Sequence, residues 1–268
     1  MEESERVSNW LTTGKTYLLP KSRESKEVRN YWPIKYLTVT HKTLTWIIAK
    51  GKSTHLEEQN LLQAEEKWCH PGSKSCKDQL MISKAIYEGC KRNKNVRIAW
   101  IDYQNASDSV SHRWVEKSIE LVWLKSKIVR FCKLAMEKWN IRLHLKTNQE
   151  VMQLQPMQIH CGIFQGDSLS PLLFCIALIS VTHKLSRPDC GYQVHRTERK
   201  IIHLLHTDDL KLLGSNEDDL ENEIKTVKAV SKDITMIFGL ENCVWICLKK
   251  KVGSKAKYIY RKHIWEWH

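Results

Sequence analysis

Glycine, proline and phenylalanine are scarce in this chain of 268 residues, with ten, six and four copies. No Gly/Ser-rich or Pro-rich linker and no internal repeat divides it, which excludes a repeat array. The longest apolar run, residues 169–181, contains serines and is shorter than the roughly 20 residues that cross a bilayer. Residues 2–5 are mostly acidic, unlike a secretory signal. We therefore expect an intracellular protein, nuclear or cytoplasmic, that is neither secreted nor membrane-bound.

Negative charge is also in short supply, because 43 Lys and Arg oppose 30 Asp and Glu and leave a net charge of +13. The excess lies in two segments, residues 14–52 and residues 249–268, and the remainder is close to neutral. Such basic segments predict a polyanionic partner such as nucleic acid. The 42% of hydrophobic residues are enough to fill a core and exclude a wholly disordered chain.

Hydrophobic periodicity predicts an α+β fold in which helices pack on one face of an antiparallel sheet. Upstream of residue 95 it indicates a strand at 17–19 and helices at 37–49 and 78–90. Downstream the predicted order is strand 96–101, a helix from about 111, a helix after Ser126, strand 141–145, helix 170–185, a hairpin of 200–206 and 210–213, a helix from Asn216 that Gly239 ends, and strand 243–248.

Three carboxylates fall where rigid elements end: Asp102 follows a predicted strand, and Asp208 and Asp209 lie at the hairpin tip. Hard carboxylate oxygens that converge in this way suit Mg²⁺. Two such ions about 4 Å apart can clamp the attacking 3′-hydroxyl and the leaving pyrophosphate of a phosphoryl displacement. Because successive strand residues point to opposite faces, we expect Asp208 to be the main ligand. Spacing alone also allows an ordinary polar turn, since turns favour aspartate.

Six segments occur together and in a definite order: LLPK (18–21), NYWPI (30–34), WIDYQNASDSVSH (100–112), GIFQGDSLSPLLF (162–174), LHTDDLKL (205–212) and FGLENC (238–243). In these segments the chain resembles reverse transcriptases of non-LTR retrotransposons. The segment at 162–174 is the most specific match. The resemblance extends from about residue 10 to residue 250.

The resemblance implies a right-hand polymerase fold reduced to fingers and palm, with the thumb absent. A fingers-like basic region would occupy residues 1–95, the palm with its antiparallel sheet residues 96–250, and a basic tail residues 251–268. The implied activity is RNA-directed DNA polymerase, which extends a DNA primer on an RNA template with deoxynucleoside triphosphates. The implied cofactor is Mg²⁺ or Mn²⁺.

The resemblance also assigns roles to individual residues. The implied catalytic and metal-binding residues are Asp102, Asp208 and Asp209. The implied nucleotide- or template-binding residues are Lys21, Tyr103, Ser107, Gln165 and Gly166. A glycine would let the backbone approach template and nucleotide closely. Two ordinary readings stay open at this point: Lys21 as a solvated lysine, and Gln165 with Gly166 as a loop that leads into a helix.

The chain departs from the family pattern at five positions. Trp32 and Cys161 replace basic residues, His206 and Ser107 replace aromatics, and Asn242 replaces a further basic residue. Ser107 would leave the nucleotide site open to ribonucleotides. The first three changes each need a single transition in the coding DNA, which suggests a degenerate or truncated retroelement copy. Two alternatives therefore stand beside the enzyme: an inactive fragment that still binds nucleic acid, and a remnant without a partner.

Overall fold

The structure is a computed structural model that describes residues 8–20, 31–61, 76–91, 95–123, 127–146, 151–186, 190–193, 200–248 and 258–261. The chain divides into two compact units, each made of segments that are distant in sequence. Unit 1 comprises residues 1–52 and 110–176, and unit 2 comprises residues 53–109 and 177–268. The functional partition at residues 95 and 250 stays a prediction.

Eight helices occur in the described residues: α1 Asn9–Thr12, α2 Val39–Glu58, α3 Cys76–Lys91, α4 Ala106–Ser109, α5 His112–Trp123, α6 Lys127–Glu137, α7 Ser170–Leu185 and α8 Glu217–Ile234. The periodicity located α3, α5, α7 and the start of α8 to within two residues. Helix α2 continues nine residues beyond the apolar stretch that predicted it. None of the helices among these residues is long and apolar enough to cross a membrane.

The strands of the described residues are β1 Thr13–Pro20, β2 Tyr31–Tyr36, β3 Val96–Ile101, β4 Asn140–Lys146, β5 Val151–Gln153, β6 Met157–Gln158, β7 Tyr192–Gln193, β8 Lys200–Ile201, β9 His203–His206, β10 Asp209–Gly214, β11 Val244–Leu248 and β12 Tyr258–Arg261. Strand β3 and the β9–β10 hairpin lie where the alternation predicted them. Strand β12 was not predicted, and it lies inside the segment that the sequence indicated only as a basic tail.

Unit 1 contains a mixed sheet with the strand order β2-β1-β4-β5, to which β6 adds by pairing with β4. Strand β1 is antiparallel to β2 and parallel to β4, so residues from the two ends of this unit's sequence lie side by side. Strand β4 covers the predicted residues 141–145, and Trp139 just before it is buried against the Phe164 ring. Phe164 thereby fixes the start of the loop at 164–169 in the unit 1 core.

Unit 2 contains an antiparallel sheet with the order β12-β11-β3-β10-β9, and β7 and β8 form a separate two-stranded ribbon. Strand β3 is central in this order, between β10 and β11, and its Ala99 and Ile101 are buried. Helix α8 packs on β3 and β10. The predicted combination of helices with an antiparallel sheet is confirmed in this unit.

Helices cover both faces of this sheet, which corrects the expectation of helices on one face alone. Lys211 reaches Ser83 of α3, with 2.9 Å between Nζ and Oγ. Its strand neighbours Leu210 and Leu212 point to the opposite face and are buried. The expectation failed because α3 precedes the sheet in sequence, and periodicity does not say which face an upstream helix covers.

Helix α8 begins as predicted and ends earlier than predicted. Asn216 caps its N-terminus by accepting a hydrogen bond from the Asp219 amide at 2.8 Å, and three acidic residues fill the first turn. Thr235, in the left-handed conformation with φ 73°, ends the helix. Gly239 therefore does not stop α8, and the prediction was wrong because this glycine serves a contact with Asp102.

Candidate active site

Asp102 lies at the end of the central strand β3 and is held by the segment at 238–243. The Gly239 amide donates to the Asp102 carbonyl at 2.7 Å, and Gln104 donates in turn to the carbonyl of Ile237 at 2.9 Å. The Asn242 side chain donates to Asp102 Oδ2 at 2.8 Å. The Asp102 amide also points at the Cys243 sulfur at 3.3 Å. This segment therefore fixes both the backbone and the carboxylate of Asp102.

Gly239 is required by close packing rather than by backbone conformation. A Cβ at this position would lie 2.6 Å from Asp102 Oδ2 and 3.4 Å from the carboxyl carbon. Such a contact is far below van der Waals separation, so any side chain here would displace the carboxylate or the segment. The FGLENC segment therefore packs directly against the Asp102 carboxylate and limits where it can move.

The two hairpin aspartates occupy different environments. Asp208 is half-buried in the turn, whereas Asp209 is exposed at the first position of β10. Thr207 before them has φ 57°, which turns the chain sharply into the pair. The two side chains therefore differ in exposure, and their unequal contribution to a metal site stays a prediction. Whether Asp208 is the main ligand stays a prediction.

The charges of the three aspartates act on one another. Burial raises the pKa of Asp208, and the negative charges of Asp209 and Asp102 raise it further. Its own backbone amide and His206 lower the same pKa, but they do not cancel the rise. A carboxylate whose pKa is raised by neighbouring carboxylates gains from a cation that neutralises the group.

A cavity of about 830 Å³ opens beside these residues within unit 2. Its lining includes Asp102 and Asp209, together with Lys211 and Asn242. Among the residues that the structure describes, no three His, Cys, Asp or Glu side chains already converge as a metal-holding group. The all-oxygen donor set of Asp102, Asp208 and Asp209 suits Mg²⁺ or Mn²⁺. Holding an ion with all three would therefore require these side chains to move from the positions that they have here.

Two residues near Asp102 had been assigned to nucleotide binding. Tyr103 is buried, its hydroxyl lies 2.9 Å from Ser231 Oγ and its ring packs edge-on against Phe238. Burial raises the pKa of Tyr103 to about 12. Its side chain therefore belongs to the core, and a nucleotide contact would have to come from its backbone. Ser107 is half-buried in α4, and its role as an open nucleotide gate stays a prediction.

The Gln165–Gly166 loop lies in unit 1 and is exposed. Gly166 adopts φ 84°, a conformation that side chains disfavour, and a Cβ there would lie 3.4 Å from the Lys35 carbonyl. The glycine is thus required by the turn itself. The contact of Gln165 and Gly166 with template or nucleotide stays a prediction.

Asp167 anchors this loop, a role that the sequence reasoning missed. It is buried, and its Oδ1 lies 3.1 Å from His41 Nε2 and accepts the Thr45 hydroxyl at 2.5 Å. The Ser170 hydroxyl donates to the other oxygen at 3.4 Å, and His41 Nδ1 lies 2.8 Å from the Leu11 carbonyl. Both ring nitrogens of His41 thus lie within hydrogen-bond distance of oxygens, and the ring links the loop to the Leu11 carbonyl. The only signal in the sequence was that Asp167 lies three residues before Ser170, the first residue of α7.

Other residues that the sequence singled out are only partly described. Lys21, the candidate triphosphate contact, lies outside the described residues. Trp32 pairs with Leu19 in the β1–β2 ladder, and Cys161 is exposed opposite Ser111. His206 lies in contact with Cys76, at 3.1 Å between Nε2 and Sγ. The contacts of Asn242 and Cys76 were missed because their partners are more than a hundred residues away.

Comparison with known proteins identifies the family of this chain. The family model for reverse transcriptase (RNA-dependent DNA polymerase) matches residues 20–259. The chain belongs to the reverse transcriptase family.

Its relatives agree with the resemblance to non-LTR retrotransposons. The Pol polyprotein of the type-1 retrotransposable element R2 of Nasonia vitripennis is 26% identical over 217 residues, which cover 80% of this chain and 20% of that protein. The corresponding R2 protein of Popillia japonica is 25% identical over 224 residues, covering 81% and 29%. The chain thus spans less than a third of either relative.

Solved structures share the fold at low sequence identity. Apo telomerase from Candida tropicalis, truncated from its C-terminal domain, superposes with a TM-score of 0.60 and 16% identity over 94% of this chain and 53% of that one. Telomerase from the same organism in complex with a fragment of telomeric RNA gives a TM-score of 0.60 at 16% identity, covering 93% and 43%. This chain and the two telomerase structures therefore share the polymerase fold.

Proposed function

We propose that this reverse transcriptase domain catalyses RNA-templated DNA synthesis, with Asp102, Asp208 and Asp209 as its metal-binding carboxylates. The observation that carries the proposal is that the strand preceding Asp102 pairs with the strand that begins at Asp209, and that burial and then the charges of Asp209 and Asp102 raise the pKa of Asp208. Like charges placed together cost stability unless a cation neutralises them, and functional sites are where such groups cluster.

The reaction joins the 3′-hydroxyl of a DNA primer to the α-phosphorus of a deoxynucleoside triphosphate. A phosphorus–oxygen bond forms, the bond to pyrophosphate breaks and the hydroxyl proton leaves. Divalent ions, Mg²⁺ or Mn²⁺, would stabilise the negative charge of the transition state and orient the attacking 3′-oxygen and the leaving pyrophosphate oxygen. The carboxylates would hold these ions, and Asn242 and Gly239 would keep Asp102 in one orientation.

The fingers and palm are part of this proposal. Support for a palm comes from the unit 2 sheet, where the strand that ends at Asp102 pairs directly with the strand that begins at Asp209. The Gln165–Gly166 loop of unit 1 and Lys21 would contribute to binding template and nucleotide. An RNA template, a DNA primer and an intracellular location belong to the same proposal.

The second candidate is an inactive domain that binds nucleic acid. One observation favours it: Asn242 occupies an oxygen of Asp102, and no three ligands are already assembled among the described residues. Its basic segments at 14–52 and 249–268 would then grip the phosphate backbone. This candidate predicts duplex binding that weakens steeply with salt and no synthesis.

Primer extension separates the two candidates. We expect the full chain to extend a labelled DNA primer on an RNA template with Mg²⁺ or Mn²⁺, and Asp208→Asn to lose at least about a hundredfold in rate, the scale of a lost catalytic group. The matched control is Asp218→Asn, because Asp218 is exposed in the first turn of α8 and also belongs to an Asp pair. It should extend like the wild type.

The outcome that contradicts synthesis is equally specific. If wild type and Asp208→Asn both fail to extend the primer, yet both retain the duplex on a filter at low salt, the second candidate is correct: the chain binds nucleic acid without polymerase activity. If neither extends nor binds, both candidates are wrong.

A further inference from the structure

One face of the unit 1 sheet points away from the core. In β1, Thr16 is buried, so Lys15 and Tyr17 on either side of it point to the opposite face of the sheet. Residues that pair across neighbouring strands point to the same face. The outer face, as we name it, therefore carries Lys15 and Tyr17 of β1 and their partners, which are Tyr36 of β2 and Arg142 and His144 of β4.

Three rings of the outer face hold one another in place. Tyr17 stacks on His144, with the ring centroids 5.0 Å apart and an angle of 22° between the ring planes. Tyr36 meets Tyr17 edge-on, with the centroids 5.2 Å apart and an angle of 84°. Tyr36 is nevertheless 56% exposed. A ring that is already fixed and still exposed loses little conformational entropy when another flat ring stacks on it.

The charge of this sheet has one sign. Its five described strands contain four Lys and Arg residues and no Asp or Glu. Lys15 and Arg142 of the outer face are both exposed. A groove of about 550 Å³ opens on this side and is lined by Thr13, Lys15, Tyr17, Tyr36, Leu37 and Thr38. Exposed rings between cations suit a polyanion that carries flat groups, which is the chemistry of a nucleic-acid strand.

We propose that the outer face binds unpaired nucleotides of a single-stranded nucleic acid, with a base stacked on Tyr36 and phosphates near Lys15 and Arg142. A duplex hides its base faces in its own stack, so an unpaired strand is the form that fits exposed rings. An acidic protein segment would match the charge but would leave the rings unused. None of the three rings lies in the six motif segments. Such binding rests on the proposed function for its nucleic-acid partner, and it needs no synthesis.

The test measures the fluorescence anisotropy of labelled oligonucleotides, each of about ten nucleotides, with the full-length chain. One probe is a uridine strand, one is a thymidine strand, and one has the same phosphate backbone without bases. We expect the wild type to bind both base-containing probes on the order of tenfold more tightly than the abasic probe, which is the scale of one stack between a base and an aromatic ring.

Substitutions separate stacking from charge. Tyr36→Leu should remove most of the preference for bases and leave the affinity for the abasic probe unchanged, whereas Tyr36→Phe keeps the ring and should bind like the wild type. The matched control is Tyr87→Leu, because Tyr87 is a 43% exposed tyrosine of unit 2. Lys15→Gln should weaken binding of all probes and lower the slope of log affinity against log salt concentration by about 0.7.

The stacking surface is overturned if the wild type binds all probes equally, or if Tyr36→Leu stays folded by circular dichroism and keeps the preference for bases. Should Tyr36→Leu unfold, the wild-type comparison of the probes decides alone. Competition by polyglutamate as strong as by the base-containing probes would also overturn it, in favour of an acidic protein partner. A wild type that extends a primer without any base preference overturns the stacking surface alone, whereas a chain that binds no probe at low salt contradicts the proposed function as well.

Discussion

Asp167 in unit 1 and Asp208 in unit 2 both belong to motifs of the family, and their surroundings are opposite. Asp167 is buried at 4% exposure, and His41, Thr45 and Ser170 saturate its oxygens. Asp208 is half-buried, and its largest charge interactions are with Asp209 and Asp102. The oxygens of Asp167 have hydrogen-bond partners within the chain, whereas Asp208 lies near two further carboxylates.

This difference separates a carboxylate held by hydrogen bonds from one that lies near like charges. Burial with hydrogen-bond donors stabilises an ionised group, and burial among like charges destabilises it. The chain therefore tolerates a stability cost at the hairpin and none at the loop. Substitutions at the two aspartates should consequently change stability in opposite directions.

The largest effect is expected from Asp167→Ala. The substitution leaves His41 Nε2 buried without its acceptor and removes one of the hydrogen bonds of the Thr45 hydroxyl, and loss of one member of such a buried pair typically costs about 3–5 kcal/mol of unfolding free energy. Urea denaturation followed by circular dichroism measures the change. Asp233→Ala, at an exposed position of α8, is the control and should stay within about 0.5 kcal/mol of the wild type. A similarly small change for Asp167→Ala would show that the loop does not depend on this network.

A smaller effect is expected from Gly239→Ala. The added Cβ would lie 2.6 Å from Asp102 Oδ2, and such overpacking costs about 1–3 kcal/mol. Gly51→Ala is the matched control, because a Cβ there meets nothing within 4 Å and alanine favours the helix. Melting temperatures of the two variants should move in opposite directions. Equal melting temperatures would mean that Asp102 and the 238–243 segment move apart at no cost in stability when a side chain is added at Gly239.

The smallest effect is expected from Asp208→Asn, and its sign is the informative part. The pKa of Asp208 in the folded protein is raised above the ordinary 3.8, so the folded protein binds this proton more tightly than the unfolded chain does. The folded protein therefore loses stability as pH rises through that raised pKa. Removing the charge should therefore raise Tm by a few degrees at neutral pH.

The pH series sharpens this last prediction. The gain in Tm should shrink as pH falls toward 3.8, where wild-type Asp208 is itself protonated. Thermal melts in metal-free buffer at several pH values measure it, and Mg²⁺ should reduce the gain at neutral pH. A Tm that falls in Asp208→Asn at neutral pH would mean that Asp208 is stabilised like Asp167, and the contrast would then disappear.

Local patterns predicted most of the elements that carry the site. A β-rich stretch located β3, two short apolar runs located the β9–β10 hairpin, and the Ser–Pro pair located the start of α7. They failed where a long-range contact decides the local structure. Gly239 looked like a helix stop, but α8 ends at Thr235 and the glycine packs on Asp102 instead.

The sequence predicted which carboxylates form the candidate site, but not which residues hold the motif aspartates in place. Motif order gave Asp102, Asp208 and Asp209, whose role as metal ligands stays a prediction. Asn242, which donates to Asp102, lies 140 residues from it in the sequence. His41 lies 126 residues from Asp167. No local pattern signals a partner at such separations.

By itself, the sequence determined the family, the order of its motifs, the positions of the main strands and helices, and the concentration of positive charge in two segments. The tertiary structure alone decided that Asp167 contacts His41, that Asp208 lies near Asp209 and Asp102, and that Cys76 contacts His206. The physical reason is that periodicity depends on neighbours along the chain. Charge, burial and hydrogen bonding depend on neighbours in space, which folding brings together from distant segments.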